Sequence, residues 1–472
     1  MTELNRVLSG RAIQPPPRPP ALPLSFLLAT HVADFDRVRL PSSVRELTRI
    51  TLLDQVGVML AASGMAPNCA PFVALARAGG EGHAQIIGHG FGATAMMAAF
   101  ANGAMAHALD FEDTHDPTLV HPHAPVIAAA LALGQEREAS GDELIAAIAI
   151  GADLSCRLAL GLASNAEASG FLLYPTIGVF GATAAAARLL KLDVARTVQA
   201  FALAFGQATQ SSRIKTYGPS DVRAVRDAFN AKAAVTAALL AEAGIEAFDR
   251  PIEGEAGYYD LYSAGGFDPA PVLADLGERF HGEDVSFKPW PCCRGTHAFI
   301  EAALALRAQA PVEAIERIDV SVSPFFAVLC EPPEQRRRPI APIGAKFSIP
   351  FAVALALEGG KVTLDDFFPD RLAAPELLRL TERVHHRVDA TRGQSAATGG
   401  SLTITLRDGR RISHQVDHPR GHPLNPMTPE ELMAKFRDCA QHAATPLDHE
   451  TTLRLEQALA AVDRLPSIAQ LF

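Results

Sequence analysis

Aromatic side chains are scarce in this chain: one Trp, five Tyr and 24 Phe make up 6% of 472 residues. A valine- and tyrosine-rich sandwich is therefore not the expected architecture, and alanine and glycine must do much of the packing, which suits closely approaching helices. Cysteine is equally sparse. Cys69, Cys156, Cys292, Cys293, Cys330 and Cys439 show no regular spacing and no CxxC pair, which argues against a disulfide scaffold or a structural zinc module and points to a reducing, cytoplasmic setting. No long Lys/Arg run offsets the net charge of −10, so neither a nucleic-acid backbone nor an anionic membrane is an expected partner. An anionic substrate would need a local basic pocket. The opening MTELNRVLSGRAIQ lacks the basic and apolar regions of a signal peptide, and the longest apolar stretch, Leu144 to Ala163, is broken by Asp153 and Arg157. No 20–50-residue repeat is visible.

What is present describes a globular chain, with 48% hydrophobic residues and a mean hydropathy of +0.12. Its length calls for two domains, or one large domain carrying an inserted one. Residues 1–24 read as a proline-rich arm, because QPPPRPPALP can neither continue a helix nor join a ladder. Residues 25–285 read as an all-α domain built from segments such as APVIAAALALGQE and FGATAAAARLL, which carry apolar or small residues on nearly every face. After His281 the texture changes. Ile318, Val320 and Val322 alternate with polar residues, and so do Leu402, Ile404 and Leu406 before Asp408-Gly409, after which Ile412, His414 and Val416 resume the period of two. With helical stretches at Gly295–Gln309, Phe347–Glu358 and Pro375–Thr381, residues 286–423 read as an α+β domain. Thr428-Pro429-Glu430-Glu431 supplies a capping box for a new helix, and residues 424–472 read as helices returning to the first domain. The fold class is thus mainly α, a large helical domain with a smaller α+β insertion.

Three clusters could carry chemistry. The densest runs from His107 through Asp110, Glu112, Asp113, Thr114, His115 and Asp116 to Pro117, followed by His121 and His123. If the preceding apolar helix persists to Pro117, Asp110 and Thr114 share a face at i, i+4, and the loop bearing His121 can fold back on them. The carboxylates would then sit at the unfavourable end of the helix dipole. Carboxylate, hydroxyl and imidazole together suit proton abstraction and return, with Asp110 orienting the histidine. Plain solvation of the acidic residues is an alternative, and a metal site of His107, Asp110, His115 and His121 is another, although no fixed ligand spacing supports it.

In the second cluster, Phe287 to His297, the prolines fix a turn and His297 falls in the first turn of a helix, with Arg294 just before it. The dipole there favours a neutral imidazole able to act as a base; a buried boundary turn is the plainer alternative. The third cluster, Arg213 to Arg226, places Arg223, Arg226 and Asn230 on one helix face opposite Val222, Val225 and Phe229. The arginine forks could hold a di- or tricarboxylate, or Arg223 could pair with Asp227 on the surface.

Taken in order, AHALDFEDTH…HPHAPVIAAALAL, FGATAAAARLL, RIKTYG, FKPWPCCRGTHAFIEAAL, AKFSIPFAVALALEGG and GHPLNPMTPEELMAKF resemble the MmgE/PrpD family, whose members include 2-methylcitrate dehydratase, cis-aconitate decarboxylase and iminodisuccinate epimerase. The resemblance implies a homodimer, each subunit a helical domain with an α+β lid and the site between them, working without metal or organic cofactor on a small carboxylate. It maps the family's catalytic positions onto Asp110, Thr114, His121 and His297. Two positions depart: Tyr174 stands where the family has a histidine, and Arg223 and Arg226 stand where it has a lysine and a histidine, with Lys215 on the preceding loop. The expected catalytic set is Asp110, Thr114, His121, Tyr174 and His297. The expected substrate-binding set is Lys215, Arg223, Arg226, Arg294, Lys346 and Ser348. The expected reaction is a hydro-lyase reaction that removes a proton α to a carboxylate and eliminates water. Epimerisation, decarboxylation, or carboxylate binding by an impaired family member are the alternatives.

Overall fold

The computed structural model describes residues 22–162, 170–215, 220–263, 266–469 and 471–472. Residues 1–21 of the predicted arm 1–24, residues 216–219, and the side chains of Tyr174 and Lys215 lie outside the described part, and Leu24 already opens the first helix. In chain order the first part holds α1 (Leu24–Asp34), α2 (Ser42–Met65), α3 (Ala70–Ala78), β1 (Ala84–Ile86), β2 (Phe91–Ala93), α4 (Ala95–His107), β3 (Thr114–His115), α5 (His123–Glu136), α6 (Gly141–Leu160), α7 (Leu173–Leu189), α8 (Val194–Phe205), α9 (Val222–Val225), α10 (Asp227–Glu242), α11 (Tyr258–Ser263), α12 (Pro269–Leu273) and β4 (Val285–Ser286). It continues with α13 (His297–Leu306), β5 (Ile315–Val322), α14 (Pro333–Arg337), α15 (Pro342–Lys346), α16 (Ile349–Gly359), α17 (Pro369–Leu372), α18 (Pro375–Thr381), β6 (Val384–Val388), β7 (Gly400–Leu406), β8 (Arg411–Val416), α19 (Pro429–Gln441) and α20 (His449–Ala460). The protein is mainly α, with small sheets. Among the described residues no single helix is long and apolar enough to cross a membrane.

Helix α5 explains the alanine content. It is buried from His123 to Gln135, so it has no polar face and must be surrounded by α4, α6, α7 and α10, as it is. Small residues let these neighbours close in. A Cβ on Gly181 of α7 would lie 2.0 Å from Ser155 Oγ and 2.4 Å from the Gly151 carbonyl of α6, so the two backbones touch where neither could carry a side chain. The charges that interrupt the apolar run of α6 pair with each other: Arg157 donates to Asp153 at 2.7 Å and spends its remaining N–H groups on the carbonyls of Val272, Ala274, Asp275 and Arg279. A buried guanidinium needs that many acceptors.

A second core gathers residues from Cys292 to Val416. Its four-stranded sheet has the order β6-β5-β7-β8, with β6 parallel to β5 and the other pairs antiparallel. Leu402, Ile404 and Leu406 are fully buried in this core, with α13 packed on β7, and Gly409 turns the β7–β8 hairpin at φ +86°, as the alternation and the Asp-Gly pair predict. Strand β6 is not evident in the sequence, because only Val384 of VHHRV is buried. An edge strand has little need of an apolar face. Helix α19 opens with the expected capping box on Thr428, and Phe436, Cys439 and Ala440 join the first core beside α2.

One expectation fails at the centre of the molecule. Helix α4 ends at His107, not at Pro117. Asp110 takes a left-handed conformation at φ 52°, and Thr114 and His115 form β3 against Ser286 and Val285. Asp110 and Thr114 therefore share no helical face. Tertiary partners capture the freed backbone: Gln55 donates to the Ala106 carbonyl and Lys288 to that of Asp110.

Candidate active site

The loop between α4 and α5 carries four carboxylates, Asp110, Glu112, Asp113 and Asp116, none more than 3% exposed. Charges taken from water need partners, and each has one. Lys288 Nζ lies 2.5 Å from Asp110 Oδ1, His107 and His121 both face Glu112, His123 Nδ1 lies 2.8 Å from Asp113, and Arg294 Nη2 lies 3.2 Å from Asp116. Two of these partners, Lys288 and Arg294, come from the segment leading into the second core. Lys435 of α19 adds a third tie, donating to the Phe111 carbonyl at 2.8 Å and pairing with Asp54 at 2.7 Å. The loop is thus held between the two cores by ion pairs and is not a solvated acidic junction.

His121 is the side chain this arrangement orients. Its Nδ1 lies 2.7 Å from Glu112 Oε1, 3.1 Å from the Asp113 carbonyl and 3.4 Å from Thr114 Oγ1. With the Nδ1 hydrogen donated to these acceptors, Nε2 carries the lone pair, and among the described residues it has no partner. His121 lines a small cleft with Leu119, Pro175, Gly178, Arg226 and Asp227. Burial opposes ionisation of Glu112, but His107, Lys288 and His121 outweigh it and hold the carboxyl well below its usual range. Burial, then Arg226, lowers His107. Asp110, expected to orient the histidine, is instead tied to Lys288, which overrides burial and keeps its carboxyl below the ordinary value.

The other expected residues divide. Thr114 and Arg226 flank His121. Arg226 is 6% exposed, its Nε has no hydrogen-bond partner, and it sits 3.8 Å from Asp227 Oδ2. Arg223 stacks 3.6 Å over the Phe347 ring, and burial lowers it to about 10. The predicted facing of this segment holds for Val225, which is buried, and fails for the rest: Val222 and Phe229 are exposed while Arg226, Asp227 and Asn230 are buried. Asn230 donates to the Pro175 carbonyl and to Asp227, so the buried face here is polar and belongs to the cleft. Lys346 is buried, donates to the Pro291 carbonyl at 2.7 Å and lies over Phe367; burial brings it down to about 8.

Three residues occupy structural positions. Ser348 caps α16, accepting from Phe351 N–H while donating to the Arg336 carbonyl. Arg294 spreads its guanidinium over Asp116, Ser286 and the carbonyls of Pro419 and Arg420. His297 is fully buried, with Nε2 donating to the Cys292 carbonyl at 3.1 Å and Nδ1 turned to Arg294 at 3.4 Å. Burial, then Arg294, holds it well below 6.5. Neutral it is, as the helix position predicts, but both nitrogens are taken.

Sequence reasoning missed Glu112 as the partner of His121 and Lys288 as the counter-charge. The odd lysine in the proline-rich turn was the available signal. The metal alternative also changes membership: His107, Asp110, Glu112 and His121 each offer a ligand atom, all within 4.8 Å of one another, whereas His115 lies elsewhere. Lys288 already brings to this group the positive charge that a cation would bring. Buried atoms without partners cluster here, namely His107 Nε2, Asp110 Oδ2 and Glu112 Oε2, as in a polar site built to receive a ligand.

Three relatives match the chain over most of its length. A human cis-aconitate decarboxylase is 28% identical over 355 residues, covering 72% of this chain and 71% of the relative. A cis-aconitate decarboxylase-like protein of Aspergillus oryzae is 25% identical, covering 94% and 95%, and the mouse cis-aconitate decarboxylase is 26% identical, covering 79% and 76%. Residues 27–270 match the MmgE/PrpD N-terminal domain and residues 290–461 the MmgE/PrpD C-terminal domain. Lys288 lies between the two matches and Arg294 just inside the second, and the chain belongs to the MmgE/PrpD family.

Proposed function

We propose that this protein is a lyase that decarboxylates a small unsaturated di- or tricarboxylate of the cis-aconitate type, with His121 as its proton-transfer residue. The observation that carries the proposal is the 2.7 Å contact between His121 Nδ1 and the buried Glu112 carboxylate. It fixes the ring, stabilises its imidazolium and leaves Nε2 for substrate beside Arg226. In the reaction His121 first takes a proton from solvent on Nε2; the C–CO2 bond then breaks, its electron pair stays on the carbon chain and delocalises into a neighbouring carboxylate, and His121 gives that proton to the carbanion carbon and returns to its neutral form. Arg226 and Arg223 are the carboxylate clamp, and Lys346 adds charge from the second core. Decarboxylation needs one proton donor and no acid for a departing hydroxide, which suits this arrangement, and the relatives' activity points the same way.

Elimination of water is the second reading. It is favoured by the neutral Nε2 lone pair, which can take the proton α to a carboxylate, with Thr114 bonding the leaving oxygen. We further propose that the second core acts as a cover over the first, that the active unit is a homodimer, and that the enzyme works in the cytoplasm. Supplying the purified protein with cis-aconitate, 2-methylcitrate, citrate and iminodisuccinate separates the readings. Release of CO2 from cis-aconitate supports the first, whereas formation of a double bond from 2-methylcitrate without CO2 sets it aside in favour of the second. Loss of neither group, with no solvent deuterium entering any of the four acids, would overturn both.

A further inference from the structure

A second group of polar side chains surrounds His115, the neighbour of Thr114 on β3, and successive strand residues point to opposite faces. His115, His281 and Asp284 each present a ligand atom, and these atoms lie within 4.8 Å of one another. His115 is 1% exposed, and its Nε2 is buried without any hydrogen-bond partner. A buried ring nitrogen left bare is costly, and it borders on the two other ligands. Its orientation is set from behind, by Nδ1 at 2.7 Å from Thr118 Oγ1. When Nδ1–H donates to that hydroxyl, Nε2 is the lone-pair tautomer that a metal requires. His281 and Asp284 are partly exposed, their side chains at 13% and 33%, so they give a cation a way in. His281 is anchored by its own N–H on Asp153 Oδ1 at 2.8 Å.

We propose that His115, His281 and Asp284 form a binding site for a divalent transition-metal ion of the Zn2+ class. Two imidazoles and one carboxylate are the donor set such ions prefer, with water completing the shell. The site would lie where His115 of β3 pairs with Val285 of β4, next to the segment that joins the two cores. A bound ion would cross-link that pair from the side opposite the proposed substrate cleft. One existing contact competes with it: Arg279 donates to Asp284 Oδ2 at 2.9 Å, and His281 Nδ1 lies 3.2 Å from the same oxygen. The Arg279 side chain is 58% exposed and free to withdraw.

Titrating Zn2+ alone into the metal-free full-length protein, followed by calorimetry and by the rise in thermal midpoint, tests the proposal without reference to activity. One equivalent is expected to bind. His281→Ala and Asp284→Asn, at partly exposed positions, should weaken binding at least tenfold, and Thr118→Val, which removes the support behind His115, should weaken it about 10-fold. Arg279→Ala should tighten it. Co2+ in place of Zn2+ should give visible bands that His281→Ala abolishes. Absence of binding, or binding that survives unchanged in both His281→Ala and Asp284→Asn, would overturn the proposal; the latter result would direct the ion to the group around Glu112.

Discussion

Glu112 does for His121 what a distant reading assigns to Asp110, and the difference can be measured. Glu112→Gln keeps the shape but removes the charge that stabilises the imidazolium, so kcat should fall, while His121→Ala should lose about 10² to 10⁴-fold, the usual worth of a positioned acid–base group. A substrate KM that stays within a few-fold would place the loss in proton transfer. Lys288→Met makes a different prediction. It strands Asp110 in a dry site and should destabilise the fold by about 3–5 kcal/mol, whereas Lys288→Met with Asp110→Leu should recover most of that, because both charges are then gone. Chemical denaturation of the two variants decides it. His121 was legible as a candidate, since its type and its place after an acidic run pointed to proton chemistry. Its partner was not legible, because Asp110, Glu112 and Asp113 lie within three positions of one another, and the left-handed turn at Asp110 decides which one faces the ring.

At the scale of elements, periodicity was the strongest guide where a face is buried and the weakest where burial is polar. The alternating strands β5, β7 and β8 and the capped helix α19 stand where the pattern puts them, and β6 escapes it as an edge strand. Around Arg226 the pattern misleads, because the buried face carries Arg226, Asp227 and Asn230 while Phe229 is 48% exposed; apolar residues mark the interior only when the interior is apolar. The close approach of α6 and α7 rests on Gly151 and Gly181, so Gly181→Ala should cost about 1–3 kcal/mol through overpacking, seen as a lower denaturation midpoint with an unchanged slope. Lys435→Met on α19 should cost a similar or larger amount. It leaves Asp54 buried without its cation, although burial already pushes that carboxyl up.

For the whole molecule, the fold buries imidazoles in neutral form, and that sets how it meets acid. His31 is lowered to about 4, chiefly by burial and then by Arg157, and His297 is likewise held well below its usual value by burial and Arg294. A histidine whose folded pKa is depressed adds stability above its unfolded value near 6.5, and that contribution drains away as the pH falls toward the folded pKa, because only the unfolded chain takes the proton. For His31 the loss by pH 5 is about 2 kcal/mol. The thermal midpoint should therefore drop between pH 7 and pH 5. His31→Phe, which keeps the ring contacts with Phe35 and Phe280, should flatten that slope.

Composition and periodicity by themselves determined that the chain is mainly helical, that small residues build its core and that alternating strands follow His281, and they singled out an acidic loop with histidines as the candidate site. These are local properties: they depend on what each residue can bury and on the spacing of its neighbours. Only the tertiary structure decided where α4 stops, which carboxylate holds His121, that His297 is enclosed and that Lys288 and Arg294 neutralise the loop. The decisive pairs, Lys288 with Asp110 and Arg294 with Asp116, each join residues 178 apart in the chain, and the energy of a buried charge depends on the partner it meets and not on its neighbours in the chain.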